Sequence, residues 1–296
     1  MMTWKRVRRE LLHAVVRGLL AVVGRLPRRL ALALFGAVGG LAYRLRGRER
    51  RQVLENLALA MPELDAPARR RLARQSFVDL GRNAADVCRS LSEDPGRLLE
   101  RIDFEGEEHF RAAREGGRGV VAVTAHMGAW ELLAASLVQR GARVCVPARP
   151  LRDARYQRLI DRLRGRLGVE AYPEGDSLRT LVRAIRDGAV FGLLADQNRD
   201  VRGVWVPFFG RPAYTPVGPA EMARLSGVAI LPMVIHQVGA RHRVQIAPPI
   251  ELDWRQPGAI EEATRLYTAN LESWIRRFPT QWVWMYERWK GPRQSG

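Results

Sequence analysis

Lysine is nearly missing from the 296 residues: Lys5 and Lys290 stand alone, and arginine supplies the rest of 49 basic side chains. Cysteine is scarce too. Cys88 and Cys145, with no C-x-x-C pair, are too few for a zinc site of their own and give no support to a disulfide framework, so a reducing compartment is the default expectation. No apolar run reaches the ~18–20 residues that a bilayer span needs. There is no G-x-S-x-G elbow, no G-x-x-x-x-G-K-[ST] loop and no G-x-G-x-x-G opening a helix after a strand. Serine-hydrolase, phosphate-loop and dinucleotide readings therefore have nothing to rest on. Acidic residues number only 31, which leaves a formal charge of +18 and implies an anionic partner: nucleic acid, an acidic protein or an anionic membrane. A hydrophobic share of 47% is globular and argues against a disordered chain.

What is there is unevenly placed. Residues 1–51 hold 13 basic side chains against Glu10 and Glu49, a net of +11. Two apolar runs, Leu11–Gly24 and Leu30–Tyr43, are parted by Arg25, Pro27, Arg28 and Arg29. Arg17 interrupts the first run and no A-x-A site follows, which argues against a cleavable signal peptide. The pattern predicts interfacial helices with apolar faces in lipid and arginines at anionic head groups. Residues 1–48 are thus read as a membrane-associating arm and residues 49–296 as the catalytic domain; a tilted span through Leu11–Tyr43 is the lesser alternative.

Beyond the arm, residues 50–61, 67–90 and 106–116 read as helices. Short continuous apolar runs then recur at Val120–Val123, Arg143–Pro147, Ala189–Ala195 and Val228–Ile235, as in strands buried on both faces. Helical patterns at 128–140, 153–166, 176–187 and 216–226 lie between or beside them. Gly239 marks a hairpin turn into Arg243–Ala247, and 258–277 is a final helix. Such alternation predicts an α/β fold: a mostly parallel central sheet flanked by helices. Sites in such sheets form outside the carboxyl ends of strands. His126 lies there, two residues past Val120–Thr124, with Glu131 at H-x-x-x-x-E spacing. A carboxylate at one ring nitrogen fixes the tautomer and leaves the other nitrogen to take a proton from a hydroxyl. The plain alternative is a core histidine capping a helix start. His236 and His242 face one another across the expected hairpin, but no third ligand accompanies them, so no metal site is expected. Cys145, inside an apolar run, reads as inert core.

The block Thr124-Ala-His-Met-Gly-Ala-Trp-Glu131 resembles the His-x4-Asp/Glu motif of the lysophospholipid and glycerolipid acyltransferase superfamily. Further blocks are similar to the bacterial lipid A biosynthesis (late) acyltransferase family. These are Val146-Pro-Ala-Arg149-Pro150; Asp187-Gly188 with Phe191-Gly-Leu-Leu-Ala-Asp196-Gln197; and Val206-Pro-Phe208-Phe209-Gly210-Arg-Pro-Ala-Tyr-Thr215 with Gly218 and Ala223. Pro279-x-Gln281-Trp282-x-Trp284 and Arg288 complete the set. Motifs in this order are far more specific than any one of them.

The resemblance implies an O-acyltransferase, peripheral on the cytoplasmic face of the inner membrane. The donor is a thioester of acyl carrier protein or coenzyme A, and the acceptor a hydroxyl of a lipid A precursor or related glycolipid. No cofactor or metal is implied. His126 is then the general base and Glu131 its orienting carboxylate. Arg149 meets a phosphate of donor or acceptor, and Asp196 and Gln197 occupy the family's acidic slot after a strand end. Val204–Gly210 reads as a loop, because of Gly203, Pro207, Gly210 and Pro212; Phe208 and Phe209 in it would wall an acyl-chain pocket. Thr215 and Gly218 would open a helix whose free amides suit a phosphate or an oxyanion. Tyr172-Pro-Glu174-Gly175 imitates a glycerolipid block earlier in the chain, so either Asp196 or Glu174 is the carboxylate near His126. Trp282, Trp284 and Trp289 read as packing, with an interfacial belt as the alternative. A lysophospholipid acyltransferase using the same dyad is the nearest rival. A non-catalytic basic protein binding membrane or nucleic acid is the rival of another class; the charge sits beside apolar runs and no nucleic-acid motif appears, so no nucleic acid is expected as partner.

Overall fold

The computed structural model describes residue 18 and residues 22–148, 153–173 and 177–290. Arg149, Pro150, Glu174 and most of the Leu11–Gly24 run lie outside the described residues. The helices are α1 (Arg28–Leu45), α2 (Gly47–Ala60), α3 (Ala66–Arg89), α4 (Pro95–Leu99), α5 (Glu107–Ala113), α6 (Trp130–Val138), α7 (Ala154–Arg166), α8 (Leu178–Arg186), α9 (Gly218–Ser226) and α10 (Ala259–Arg277). The strands are β1 (Ile102–Glu105), β2 (Val120–Thr124), β3 (Val144–Ala148), β4 (Glu170–Pro173), β5 (Val190–Leu194), β6 (Gly203–Phe208), β7 (Arg211–Pro216), β8 (Ile230–Val238) and β9 (Arg241–Ile246).

Seven strands form one sheet in the order β1-β9-β8-β2-β5-β3-β4. Neighbours run parallel except β8 and β9, which are joined by the tight turn at Gly239. β2 sits at the centre with alternate residues feeding two cores. Val121 and Val123 pack with Leu57, Phe77, Ile185, Tyr267 and Trp274 on one face. Val120 and Ala122 pack with Phe110, Leu132 and Leu163 on the other. A strand buried on both sides has no polar alternation to keep, so its sequence is a continuous apolar run. The expected α/β fold with a mostly parallel sheet is the fold observed.

β1 and β4 are additions to the sequence reading. They are edge strands, partly exposed, and carry Asp, Glu and Tyr rather than an apolar run. The loop expected at Val204–Gly210 is corrected to a hairpin. β6 and β7 pair antiparallel, with Phe208 opposite Arg211, so the turn is the two residues Phe209 and Gly210. Both have positive φ, 53° and 70°, which is what a two-residue turn needs to match strand twist. The cost of left-handed backbone at Phe209 is offset by burial of its ring against Trp284 and Trp289 and by the hydrogen bond its backbone N–H donates to the Glu272 carboxylate at 2.6 Å.

α1 lies against α3 with almost nothing between them. A Cβ built at Gly39 would fall 2.1 Å from the Phe77 carbonyl oxygen, and one at Gly81 2.2 Å from that of Phe35. Small residues on both helices let the backbones meet. At the N-terminal end of α1, Arg28 clasps Asp86 of α3 through two bonds of 2.8 and 2.6 Å, and Asp86 also bonds the His242 ring at 2.8 Å. Outward, Leu30, Leu34, Val38, Leu41 and Leu45 make an exposed apolar stripe. Among the described residues no helix is long and apolar enough to cross a membrane.

Candidate active site

Parallel register builds the site. Thr124 of β2 is opposite Leu194 of β5, so residues two positions beyond each strand end emerge side by side. Those residues are His126 and Asp196. The Asp196 side chain is fully buried and the His126 side chain is 14% exposed, so one is floor and the other surface. Asp196 Oδ1 is 2.8 Å from His126 Nδ1. Its Oδ2 accepts the His126 backbone N–H at 2.9 Å and the Trp282 indole N–H at 2.7 Å. Burial alone would raise the carboxyl pKa. Attraction to the His126 ring and the hydrogen bonds from His126 and Trp282 outweigh burial, and the pKa is lowered. An ionised Asp196 accepts from Nδ1–H, which leaves Nε2 as the free lone pair.

The loop carrying His126 is pinned on its other side by the segment after α10. The His126 carbonyl accepts Val283 N–H at 3.0 Å, and Gly128 N–H donates to the Gln281 carbonyl at 2.9 Å. Gly128 has φ of 59°, and a Cβ there would lie 2.1 Å from the Ile235 carbonyl oxygen of β8. Gly128→Ala combines a left-handed conformation with a backbone clash. It is expected to cost roughly 2–4 kcal/mol, read as a lowered urea midpoint at unchanged m. A midpoint equal to that of the parent protein would show that the loop is free to move.

Around the imidazole stand Trp130 and Tyr286, with ring centroids at 5.2 and 5.3 Å, and Gln197. The Gln197 amide nitrogen is 3.1 Å from Nδ1 and 3.2 Å from Nε2; with Nδ1–H given to Asp196, Nε2 is the lone pair to which the Gln197 N–H donates, and an acceptor hydroxyl would take that place. Burial pushes the Tyr286 phenol pKa up against its hydrogen bond with Gln197. Next to Trp130 opens an apolar pocket between α6 and the sheet, with a volume of about 80 Å³, lined by Ala134, Leu137, Val146, Gly192, Leu194 and Met233. Glu131 and Arg164 stand at its edge.

A family model described as bacterial lipid A biosynthesis acyltransferase matches residues 3–291. The chain belongs to that family. It is an acyltransferase. The phosphatidylinositol mannoside acyltransferase of Mycolicibacterium smegmatis is 28% identical over 90% of this chain and 88% of its own length. The lipid A biosynthesis lauroyltransferase of Escherichia coli K12 is 26% identical over 92% of this chain and 89% of its own. The lipid A biosynthesis myristoyltransferase of the same organism is 20% identical over 90% and 83%.

In this acyltransferase the residues singled out from sequence do not all converge. His126, Asp196 and Gln197 do. Glu131, expected to orient His126, instead meets Arg164 of α7 at 3.0 and 3.3 Å. The left-handed turn at Gly128 starts α6 at Trp130, and the Glu131 carboxylate faces α7 rather than the imidazole. Asp196 takes the place beside His126 that the sequence left open. Arg149 falls outside the described residues. Phe208 and Phe209 are buried in a cluster with Trp282, Trp284 and Trp289, away from the apolar pocket. Gly210 is the hairpin turn. Thr215 does not open a helix: it lies in β7, fully buried, and takes a 2.6 Å bond from Arg288, while α9 starts at Gly218.

Arg288, matched to the family by resemblance but given no role from sequence, acts here as an anchor. It is completely buried, donates to the Tyr214 carbonyl at 2.6 Å and lies 4.8 Å over the Phe208 ring. Burial pushes its pKa down to about 10, against attraction to Asp196 and Tyr267. It ties the β6–β7 hairpin to the segment carrying Trp282 and Tyr286. The two histidines of the β8–β9 hairpin go to opposite faces. His236 stacks on Phe278 with centroids 3.7 Å apart, and burial holds its pKa down at about 4. His242 faces Asp86. Among the described residues no group of three or more His, Cys, Asp or Glu is placed to hold a metal ion. Burial pushes the Cys145 thiol up to about 12, which leaves it a poor nucleophile.

Proposed function

We propose that the chain moves a fatty acyl group from a thioester of acyl carrier protein or coenzyme A to a hydroxyl of a lipid A precursor or related glycolipid. The observation that carries this is the Asp196–His126 pair at the carboxyl end of a parallel sheet, with Trp130 between the imidazole and an apolar pocket that it lines. The acceptor hydroxyl gives its proton to Nε2 as its oxygen attacks the thioester carbonyl. The imidazolium formed is stabilised by Asp196. Collapse of the tetrahedral intermediate forms the ester and expels the thiolate, which takes the proton back from His126. Acyl group and proton are both accounted for, with no acyl-enzyme. The start of α6, which no side chain caps, presents backbone amides near His126 that suit the oxyanion. Arg149, in the same reading, meets a phosphate.

The acyl chain runs past Trp130 into the pocket between α6 and the sheet. As it stands the pocket admits only a short stretch of chain, so neighbouring side chains must shift for a longer one. Relatives named for lipid A and for phosphatidylinositol mannoside act on glycolipids, which favours a glycolipid over a lysophospholipid acceptor. The apolar stripe of α1 and the +11 charge of residues 1–51 support residues 1–48 as the part that lies on an anionic cytoplasmic leaflet.

The test is a reconstituted transfer. Purified protein, an acyl thioester and a lipid A precursor or mannosylated phosphatidylinositol in mixed micelles should yield acylated lipid and free thiol in equal amounts. Thiol release without lipid acylation would make the chain a thioesterase. Ala134→Phe should shift donor preference toward shorter chains by roughly 10-fold or more, the scale on which a hydrophobic pocket discriminates. An unchanged chain-length profile would place the acyl group elsewhere.

A further inference from the structure

A second cavity, of about 650 Å³, lies on the α1 side of the molecule, walled by α1, α3, the β8–β9 turn and the chain after α10. Arg29, Arg82 and Arg277 line it, with Leu32, Ala33 and Thr280. Its one acidic group, Asp79, is already saturated. Gln75 donates to it at 2.8 Å, Arg82 at 3.3 Å and Gln281 at 3.1 Å. Arg28, also on the wall, is spent on Asp86. Arg29 and Arg277 have no ion-pair partner among the described residues. The Arg277 guanidinium lies 5.3 Å from the Phe278 ring, a stacking that leaves its edge free for an oxyanion. With Arg28 paired to Asp86 and Arg82 to Asp79, Arg29 and Arg277 are left as cations that no acidic group on the wall offsets.

We propose that this cavity binds the phosphate of an anionic membrane phospholipid. A phosphate offers several acceptor oxygens, and arginine forks suit them. The lipid source follows from what borders the site. Leu32 and Ala33 form one wall, and Leu30 and Leu34 beside them belong to the exposed apolar stripe of α1. A headgroup seated among Arg29, Arg82 and Arg277 leaves its acyl chains next to that stripe. The floor links the cavity to the catalytic loop. Gln281 bonds Asp79, Asn83 and the Gln237 amide, and its carbonyl holds Gly128, two residues from His126. A bound phosphate therefore braces the segment that positions the imidazole.

The proposal rests on the membrane association read above, and its test is binding, which needs no turnover. Full-length protein is titrated with vesicles of phosphatidylcholine alone and of phosphatidylcholine with a minor share of phosphatidylglycerol. Arg29→Gln with Arg277→Gln should weaken binding to the anionic vesicles by roughly 10-fold or more, since each basic group at such a surface contributes on the order of 1 kcal/mol. The control is an equal loss of charge at the other end of the sheet, Arg118→Gln with Arg183→Gln, which should change affinity by about twofold or less. Binding to neutral vesicles should be alike for all three proteins. Equal losses for the two pairs would overturn the site and leave only diffuse attraction by the arm. A further arm titrates detergent-held protein with inorganic phosphate. Saturable binding as tight as to the vesicles, and lost in the Arg29/Arg277 pair, would overturn the lipid as ligand in favour of free phosphate. Absent transfer with intact, pair-sensitive binding would count against the proposed reaction and not against this site.

Discussion

His126→Ala is expected to lower acyl transfer by roughly 10²–10⁴-fold, the usual loss on removing a general base, in a protein that still folds but with a lowered thermal midpoint, since buried Asp196 loses one partner. Without the ring, Asp196 still accepts the His126 backbone N–H and the Trp282 indole N–H, so the carboxylate keeps two of its three donors and the loop its anchor. Single-turnover measurement with pre-bound thioester separates this from a binding defect, because only the chemical step should slow. Turnover near that of the parent protein would end the general-base mechanism, whatever else the pocket does.

Asp196→Asn should cost about as much, and the direction can be worked out atom by atom. Oδ2 accepts two donors, the His126 backbone N–H and the Trp282 indole; Oδ1 faces Nδ1. An asparagine has one oxygen, and the two fixed N–H groups claim it. The amide NH2 then points at Nδ1, which must become an acceptor, so the proton moves to Nε2 and the base is lost. Transfer should fall by roughly 10²–10⁴-fold, as when an orienting aspartate is removed from a triad. The pH dependence of stability should change as well. The folded pKa of Asp196 is lowered, so its contribution is present above the ordinary carboxylate range, about 3.9, and is lost as pH falls through the folded value. Urea midpoints measured from neutral pH downward should therefore decline less steeply in the variant. Identical slopes would mean that Asp196 titrates alike in folded and unfolded chains.

How far the sequence disclosed this arrangement depends on which information the arrangement uses. β2, β5 and β8 were legible because burial on both faces writes an uninterrupted apolar run. β1 and β4, at the sheet edges, carry no such run. The β6–β7 hairpin was hidden by its own prolines and glycines, which read as loop until Phe209 and Gly210 are seen as a two-residue turn. His126 was legible from its place after a strand. Its partner was narrowed by resemblance to Asp196 or Glu174 and no further, because Asp196 is 70 positions away and only the pairing of β2 with β5 brings it near. Glu131 was attractive through closeness in sequence, yet the turn at Gly128 aims it at Arg164. Trp282 and Arg288 were marked by their motif, but their contacts with Asp196 and Thr215 come from a segment that returns to the sheet from the far end of the chain, which local pattern does not place.

The meeting of Gly39 with Phe77 and of Gly81 with Phe35 has a metric consequence. Two backbones in contact leave no side chain to act as a hinge, so α1 has no swing relative to α3 or to the sheet beneath it. If the α1 stripe rests in the lipid plane, the height of His126 above that plane is set by the fold. A headgroup with several equivalent hydroxyls then offers only those that rise to this height, and regioselectivity becomes a matter of altitude rather than of a cleft moulded to one sugar.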